Sequence, residues 1–325
     1  MDKTPTDTPA TLVDAVRYFT DPDVCLSFMV AIRWPDGNVT CPHCGSREVA
    51  FLSNYRRWLC RAGHARPQFS IKVGTIFEDS PIPLDKWLPA VWMIVNDKNG
   101  ISSYELARAL GVTQKTGWFM LHRIRLAMQR GGLDKFSGDV EVDETFIGGR
   151  ARFMHKHKRA EKIKGTGPMG KAAVMGLLER HGPDKKSRVR LKVVGATRKH
   201  ILHAEIRAHV ERGANLYTDA LKSYEGLSRE YTHGVIDHAE AYVDGKIHTN
   251  GLENFWSLLK RAIKGTYVSV EPFHLFRYLD EQAFRFNERG DNDGGRFLRV
   301  LRTIVGRRLT YKELIGDAGL ATTPA

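Results

Sequence analysis

The chain has 325 residues, 50 basic against 37 acidic, for a formal charge of +13, and 42% hydrophobic residues, enough for two or three domains with a substantial core. A basic excess of this size attracts phosphate polyanions or an anionic surface, but no run of about eighteen apolar residues suits a membrane span. The N-terminal MDKTPTDTPATLVDAVRYF lacks the basic and apolar regions of an export signal, and four cysteines, three of them in one short segment, make no disulfide framework, so the expected compartment is the reducing cytoplasm.

Residues 11–33 read as helical, with Leu12, Val13, Val16, Phe19, Val24, Cys25, Phe28 and Ile32 at apolar positions. Cys25, between Val24 and Leu26, reads as a small buried hydrophobe. CPHCGS follows, a Cys-x2-Cys knuckle in which Cys41 and Cys44, turned by Gly45, aim two thiolates at one tetrahedral zinc ion. A zinc ribbon needs two further ligands about fifteen to twenty residues later. Cys60 of CRAGHARPQFS is one. Where a second cysteine is usual the chain has Gly63, so the adjacent His64 is assigned as the fourth ligand, with His43 as a weaker substitute. The competing reading is a degenerate ribbon without metal.

FSIKVGTIFEDSPIPLDKWLPAVWMIV runs from a strand into a helix whose core stripe is Leu84, Trp87, Leu88, Val91, Trp92 and Val95. SSYELARALGVTQKTGWFMLHRIRLAM then reads as two helices joined at Leu110-Gly111-Val112, a helix-turn-helix with Thr113 as N-cap of the second helix. That helix carries Gln114, Lys115, His122, Arg123 and Arg125, and contact with DNA phosphates or base edges is expected of it, above all from Lys115, Arg123 and Arg125. A plain helical pair within a core is the alternative.

From residue 138 the pattern changes to strands. VEVDETFIGG, KAAVMGLLER and SRVRLKVVGAT read as strands one to three, ILHAEIRAHV as a helix, ANLYTD as strand four and THGVIDH as strand five, with a further helix between four and five. The basic segment 150–170 reads as a loop. In HTNGLENFWSLLKR, Leu252, Phe255, Trp256, Leu259 and Ile263 form an apolar helical stripe, and Asn250, Glu253, Ser257, Lys260 and Lys264 a polar one. Asp143, Asp219 and Glu253 therefore stand on two strands and a helix, three carboxylates able to converge on a pair of divalent ions as phosphodiester chemistry requires. Strand alternation puts Asp139, Glu141 and Asp143 on one face and Glu144 on the other, so geometry alone leaves Glu141 in competition with Asp143.

This element order is that of an RNase H-like fold. Together with CPHCGS, QFSIKVGTIFEDSPIPLDKW, VEVDETFIGG, LYTDALKSY and HTNGLENFWSLLKRAIKGTY, it resembles over nearly the whole chain the bacterial insertion-sequence transposases of the ISXO-like DDE group, themselves similar to eukaryotic Merlin elements. The spacings agree: 76 positions from Asp143 to Asp219 (219 − 143) and 34 from Asp219 to Glu253 (253 − 219), the interval usual in DDE enzymes. The resemblance decides for Asp143 over Glu141. It makes Asp143, Asp219 and Glu253 the catalytic acids, Lys260 a lysine at the site, and Asn250 a residue able to share or take the third position.

The resemblance also implies an α/β chain: an N-terminal helical segment and zinc ribbon (1–75), a helical helix-turn-helix region (76–135), an RNase H-like DDE catalytic domain (136–300) and a C-terminal tail (301–325). Magnesium, or manganese, would be held by Asp143, Asp219 and Glu253, with Asp143 between the ions, and structural zinc by Cys41, Cys44, Cys60 and His64. DNA would be bound as transposon ends and target, with Lys264 beside Lys115, Arg123 and Arg125 among the contacts and the 150–170 loop over the flanking DNA. The expected activity is cleavage at terminal inverted repeats followed by strand transfer, by a homodimer or larger assembly on nucleoid DNA, with no membrane partner. The rivals are a DNA-binding regulator, which leaves the three acids without purpose, and an RNase H-like structure-specific nuclease.

Overall fold

The structure, a computed structural model, describes residues 8–129, 134–149, 155–163, 169–182, 186–236 and 248–317. Two compact units divide the chain: Met1–Met128 with Asp291–Ala325, and Gln129–Gly290. Residues from Asp291 onward thus return to the first unit, whereas the expected division carries the catalytic domain to residue 300 and leaves 301–325 as a tail.

The first unit opens with α1 (Leu12–Tyr18) and α2 (Pro22–Arg33). The expected single helix is split because Asp21 caps α2 through its side chain, with Pro22 at the first helical position. Cys25 is fully buried, its thiol donating to the Phe19 carbonyl. Strands β1 (Val49–Leu52), β2 (Arg57–Cys60) and β3 (Gln68–Phe69) form a three-stranded antiparallel sheet. Helices α3 (Leu84–Asn96), α4 (Ser103–Leu110) and α5 (Gln114–Met128) follow. Ser102 and Glu105 make a capping box at the start of α4, and Gly111 ends it in the left-handed region (φ 61°), where a side chain is disfavoured. Thr113 Oγ1 accepts the N–H of Thr116, capping α5 as expected. The core includes Trp87, Leu88, Val91, Trp92 and Val95 of α3, with Trp92 against Phe297.

In the second unit, β4 (Asp139–Ile147), α6 (Lys156–Lys162), β5 (Ala172–Glu179), β6 (Arg188–Val194), α7 (Lys199–His209), β7 (Asn215–Asp219), β8 (Thr232–Ile236), α8 (Asn250–Ala262) and α9 (Leu275–Asn287) follow in order. The chain then rejoins the first unit through α10 (Asp293–Arg302) and α11 (Tyr311–Ile315). The five strands stand in the order β6-β5-β4-β7-β8; β6, β5 and β4 are antiparallel, and β4, β7 and β8 parallel. This is the RNase H-like arrangement. Val140, Val142 and Leu216 face Leu202 and Ile206 of α7 on one side of the sheet. Val174, Leu178 and Ile147 face Leu252, Phe255, Trp256 and Leu259 of α8 on the other. The expected helix between β7 and β8 is instead two short 3-10 turns, Lys222–Tyr224 and Leu227–Arg229, separated by Gly226 at φ 90°. Of segment 150–170, read as a loop, residues 150–154 and 164–168 lie outside the described residues, and Lys156–Lys162 form the short helix α6 instead.

Candidate active site and zinc centre

The acids are positioned by strand register. In the parallel pairing of β4 with β7, Asp139 faces Asn215, Val140 faces Leu216 and Glu141 faces Tyr217. The same offset carried two residues further sets Asp143 level with Asp219, on the sheet face that α8 covers. Glu253 lies in the first turn of α8, its Oε1 accepting from Thr249 Oγ1 at 3.3 Å.

The other acids of that face are engaged elsewhere. Asp139 Oδ1 accepts from Asn215 Nδ2 at 2.7 Å and from Tyr217 OH at 3.2 Å. Glu141, only 1% exposed, pairs with Arg180 Nε at 2.8 Å and accepts the backbone N–H of Leu252 at 2.9 Å. Glu141 therefore anchors the start of α8.

Asp143 is held from two sides: Oδ1 accepts the N–H of Glu144 at 2.8 Å, and Oδ2 accepts Trp256 Nε1 at 2.9 Å. Burial pushes its carboxyl up to about 6 against these two donors, and the charges of Asp219 and Glu253 push the same way. Glu144, on the opposite face, bonds to the buried Tyr224 hydroxyl and is raised by burial to about 7, with Asp143 and Asp219 adding to the rise. Asp143 and Glu144 thus stand mid-strand in β4, near the charges of Asp219 at the end of β7 and, for Asp143, of Glu253 on α8. Hard carboxylate oxygens gathered in this way fit a divalent cation.

In the first unit, Cys41 and Cys44 lie in the turn before β1 and Cys60 ends β2. The ligand atoms of Cys41, Cys44, Cys60 and His64 all lie within 4.8 Å of one another; Cys41 Sγ is 3.3 Å from His64 Nε2, and Cys44 Sγ is 3.6 Å from Cys60 Sγ. Tetrahedral zinc–thiolate bonds of about 2.3 Å ask for separations of roughly 3.8 Å, so this group fits a structural zinc, with His64 in the fourth place. Burial opposes the Cys41 thiolate, but the N–H groups of His43 and Cys44, with the side chains of Cys44 and His64, bring its thiol down to about 7.

Residues 135–287 match the family model of the ISXO2-like transposase domain, and residues 20–65 that of the transposase zinc-ribbon domain. The chain carries an ISXO2-like transposase domain behind a transposase zinc ribbon. It is also 27% identical over 302 residues, covering 89% of this chain and 98% of the other, to an uncharacterized protein in transposable element ISH50 of Halobacterium salinarum.

Two of the expected DNA contacts need correction. Arg123 is 4% exposed and donates to the carbonyls of Leu309, Ile76 and Glu78; Arg125 is 1% exposed. Every residue of α5 from Met120 to Arg125 is buried, because α3, α10 and the chain around Leu309 close over the helix. Neither arginine can reach a phosphate from there. Lys115 is exposed at the start of α5, with its ammonium 4.7 Å above the Tyr311 ring. Lys264 is exposed and Lys260 half-buried, both on the α8 side of the transposase domain, and Asn250 is exposed at the first position of α8.

Sequence reasoning missed Arg180, Tyr224 and the polar role of Trp256, which it counted as core. One signal was available: Gly176, alone inside β5, marks a close approach to a strand.

Proposed function

We propose that this protein is a DDE-type transposase that binds the terminal inverted repeats of its insertion sequence and carries out metal-dependent DNA cleavage and strand transfer. The supporting observation is the pairing of β4 with β7, whose register puts Asp143 level with Asp219, with Glu253 close enough for its charge to oppose ionisation of Asp143. In this reading those three carboxylates hold Mg2+ or Mn2+, and Asn250 stands beside them without charge. Bound ions of this kind activate the attacking oxygen and stabilise the leaving oxygen of a phosphodiester.

The chain itself supplies position and charge. Glu141 and Arg180 fix the start of α8 and so the height of Glu253 above the sheet. Lys260 and Lys264, about two and three turns beyond Glu253, offer ammonium groups to DNA phosphates, and the +13 balance draws the polyanion in. The ribbon, folded around structural zinc, and Lys115 on the helix-turn-helix contribute to holding the ends. Among the described residues no helix is long and apolar enough to cross a membrane. Paired ends call for a homodimer or larger assembly on DNA, working in the cytoplasm at the nucleoid.

The test is a strand-transfer assay with the full chain, the ends that flank its own gene, a plasmid target and Mg2+. Ends joined covalently to plasmid are expected. Cleavage without joining would make it a nuclease, and binding without Mg2+-dependent cleavage would make it a regulator.

A further inference from the structure

Trp256 is 4% exposed and lies in the apolar cluster between α8 and the sheet, yet its one polar atom is directed at an acid of the site: Nε1 donates to Asp143 Oδ2 at 2.9 Å. The indole reaches that oxygen because of Gly176, the residue paired with Asp143 across β4 and β5. A Cβ at Gly176 would lie 2.6 Å from both Cη2 and Cζ2 of Trp256 and 2.9 Å from Leu252 Cδ2. The missing side chain is thus the seat of the ring. Carboxylate oxygens offer about two lone-pair sites each. With Oδ1 taken once by the Glu144 N–H and Oδ2 once by the indole, Asp143 keeps acceptor capacity on both oxygens while its rotamer is held.

Trp256 also follows Glu253 by three residues on α8. The indole bond therefore ties the helix bearing the third acid to the strand bearing the first. A rigid ring with two side-chain torsions transmits this registration better than a flexible donor.

We propose that Trp256, seated on Gly176, is the positioning residue of the site: it holds the Asp143 carboxylate in a fixed orientation and sets the separation between Asp143 and Glu253. This rests on the reading of Asp143 as a metal ligand. Donors that orient a ligand typically change metal affinity by about 10–100-fold when removed.

The experiment measures Mn2+ binding to the full chain from the loss of the free-ion electron paramagnetic resonance signal. Trp256→Phe keeps the ring and drops the N–H. It is expected to weaken Mn2+ binding at least about tenfold, to keep the wild-type fold, and to regain DNA cleavage as Mn2+ is raised. Gly176→Ala, which unseats the ring without touching an acid, should weaken binding in the same way. Asp143→Asn is the control and should lose the ion at any concentration. A Trp256→Phe titration that overlays the wild type while Asp143→Asn binds nothing overturns the inference and leaves the metal-ligand reading intact. An unchanged titration for Asp143→Asn removes that reading and the inference with it. Where either packing variant fails to fold, the wild-type protein decides: of its six indoles, one N–H resonance should move both with Mg2+ and in Asp143→Asn, while that of Trp34, bonded to Thr40, stays. No such resonance overturns the proposal.

Discussion

The backbone N–H of Leu252 donates to Glu141 Oε2 over 2.9 Å, so a buried strand carboxylate receives the first turn of the helix that carries Glu253. Its other oxygen is paired with Arg180 at 2.8 Å. A carboxylate so placed complements both the positive end of the helix and the guanidinium of an arginine side chain that is itself 13% exposed. Glu141 and Asp143, equivalent by strand alternation, thereby divide the work: one holds the architecture and the other faces the remaining acids.

This division predicts opposite responses to amide substitution. Glu141→Gln leaves Arg180 without its buried partner and should cost about 3–5 kcal/mol in denaturant unfolding. Asp143→Asn should keep the fold and the binding of transposon ends while cleavage and strand transfer fall by orders of magnitude, and Asp219→Asn should match it. A stable, inactive Glu141→Gln beside an active Asp143→Asn would exchange their roles.

The third acid can be separated from its neighbour. Glu253→Gln should abolish Mg2+-dependent cleavage, whereas Asn250→Ala, at an exposed position, should lower it by less than about tenfold, the loss of one ordinary hydrogen bond. The reverse order in the same gel assay would give Asn250 the third place.

The raised Asp143 pKa has a consequence for stability. Its folded value, about 6, lies above the ordinary 3.8, so between these values the folded chain keeps a proton that the unfolded chain has released. Without metal, stability should fall as pH rises through this window, and the gap is worth about 3 kcal/mol. Glu144, raised from 4.5 to about 7, adds to the fall in the same direction. Urea unfolding of the metal-free protein at pH values across the window should show this decline, reduced in Asp143→Asn, and added Mg2+ should restore stability above it. A flat profile in the wild type would mean that Asp143 titrates normally.

Metal analysis of the purified protein should find about one zinc per chain, as a four-ligand site requires. Cys41→Ser removes a ligand that is 2% exposed and should release the ion and expose the segment around β1 and β2 to proteases. Full zinc content after that change would exclude the site.

In the helix-turn-helix, Arg123→Ala should act on stability: three carbonyls lose their donor, at about 1–3 kcal/mol for each left buried and unpaired. Lys115→Ala should leave the melting temperature in place and weaken binding to the ends, with a shallower salt dependence. Binding unaffected by Lys115→Ala at every salt concentration would move recognition off this helix.

Local pattern alone was enough to reveal the Cys-x2-Cys knuckle and Cys60, the turn at Gly111, the strands bearing Asp143 and Asp219, and the two stripes of α8, because turn chemistry and the periods of strand and helix act over a few residues. It misread the stretch between β7 and β8, where Gly226 breaks a helical pattern into two 3-10 turns. The assignments it could not make all depend on partners remote in the chain. Glu141 meets Leu252 at a separation of 111 residues, Asp143 meets Trp256 at 113, and Arg123 meets Leu309 at 186. Whether an acid is an anchor or a ligand, and whether an arginine faces DNA or a core, is decided by burial and by the group opposite it, and those exist only once the chain has closed on itself.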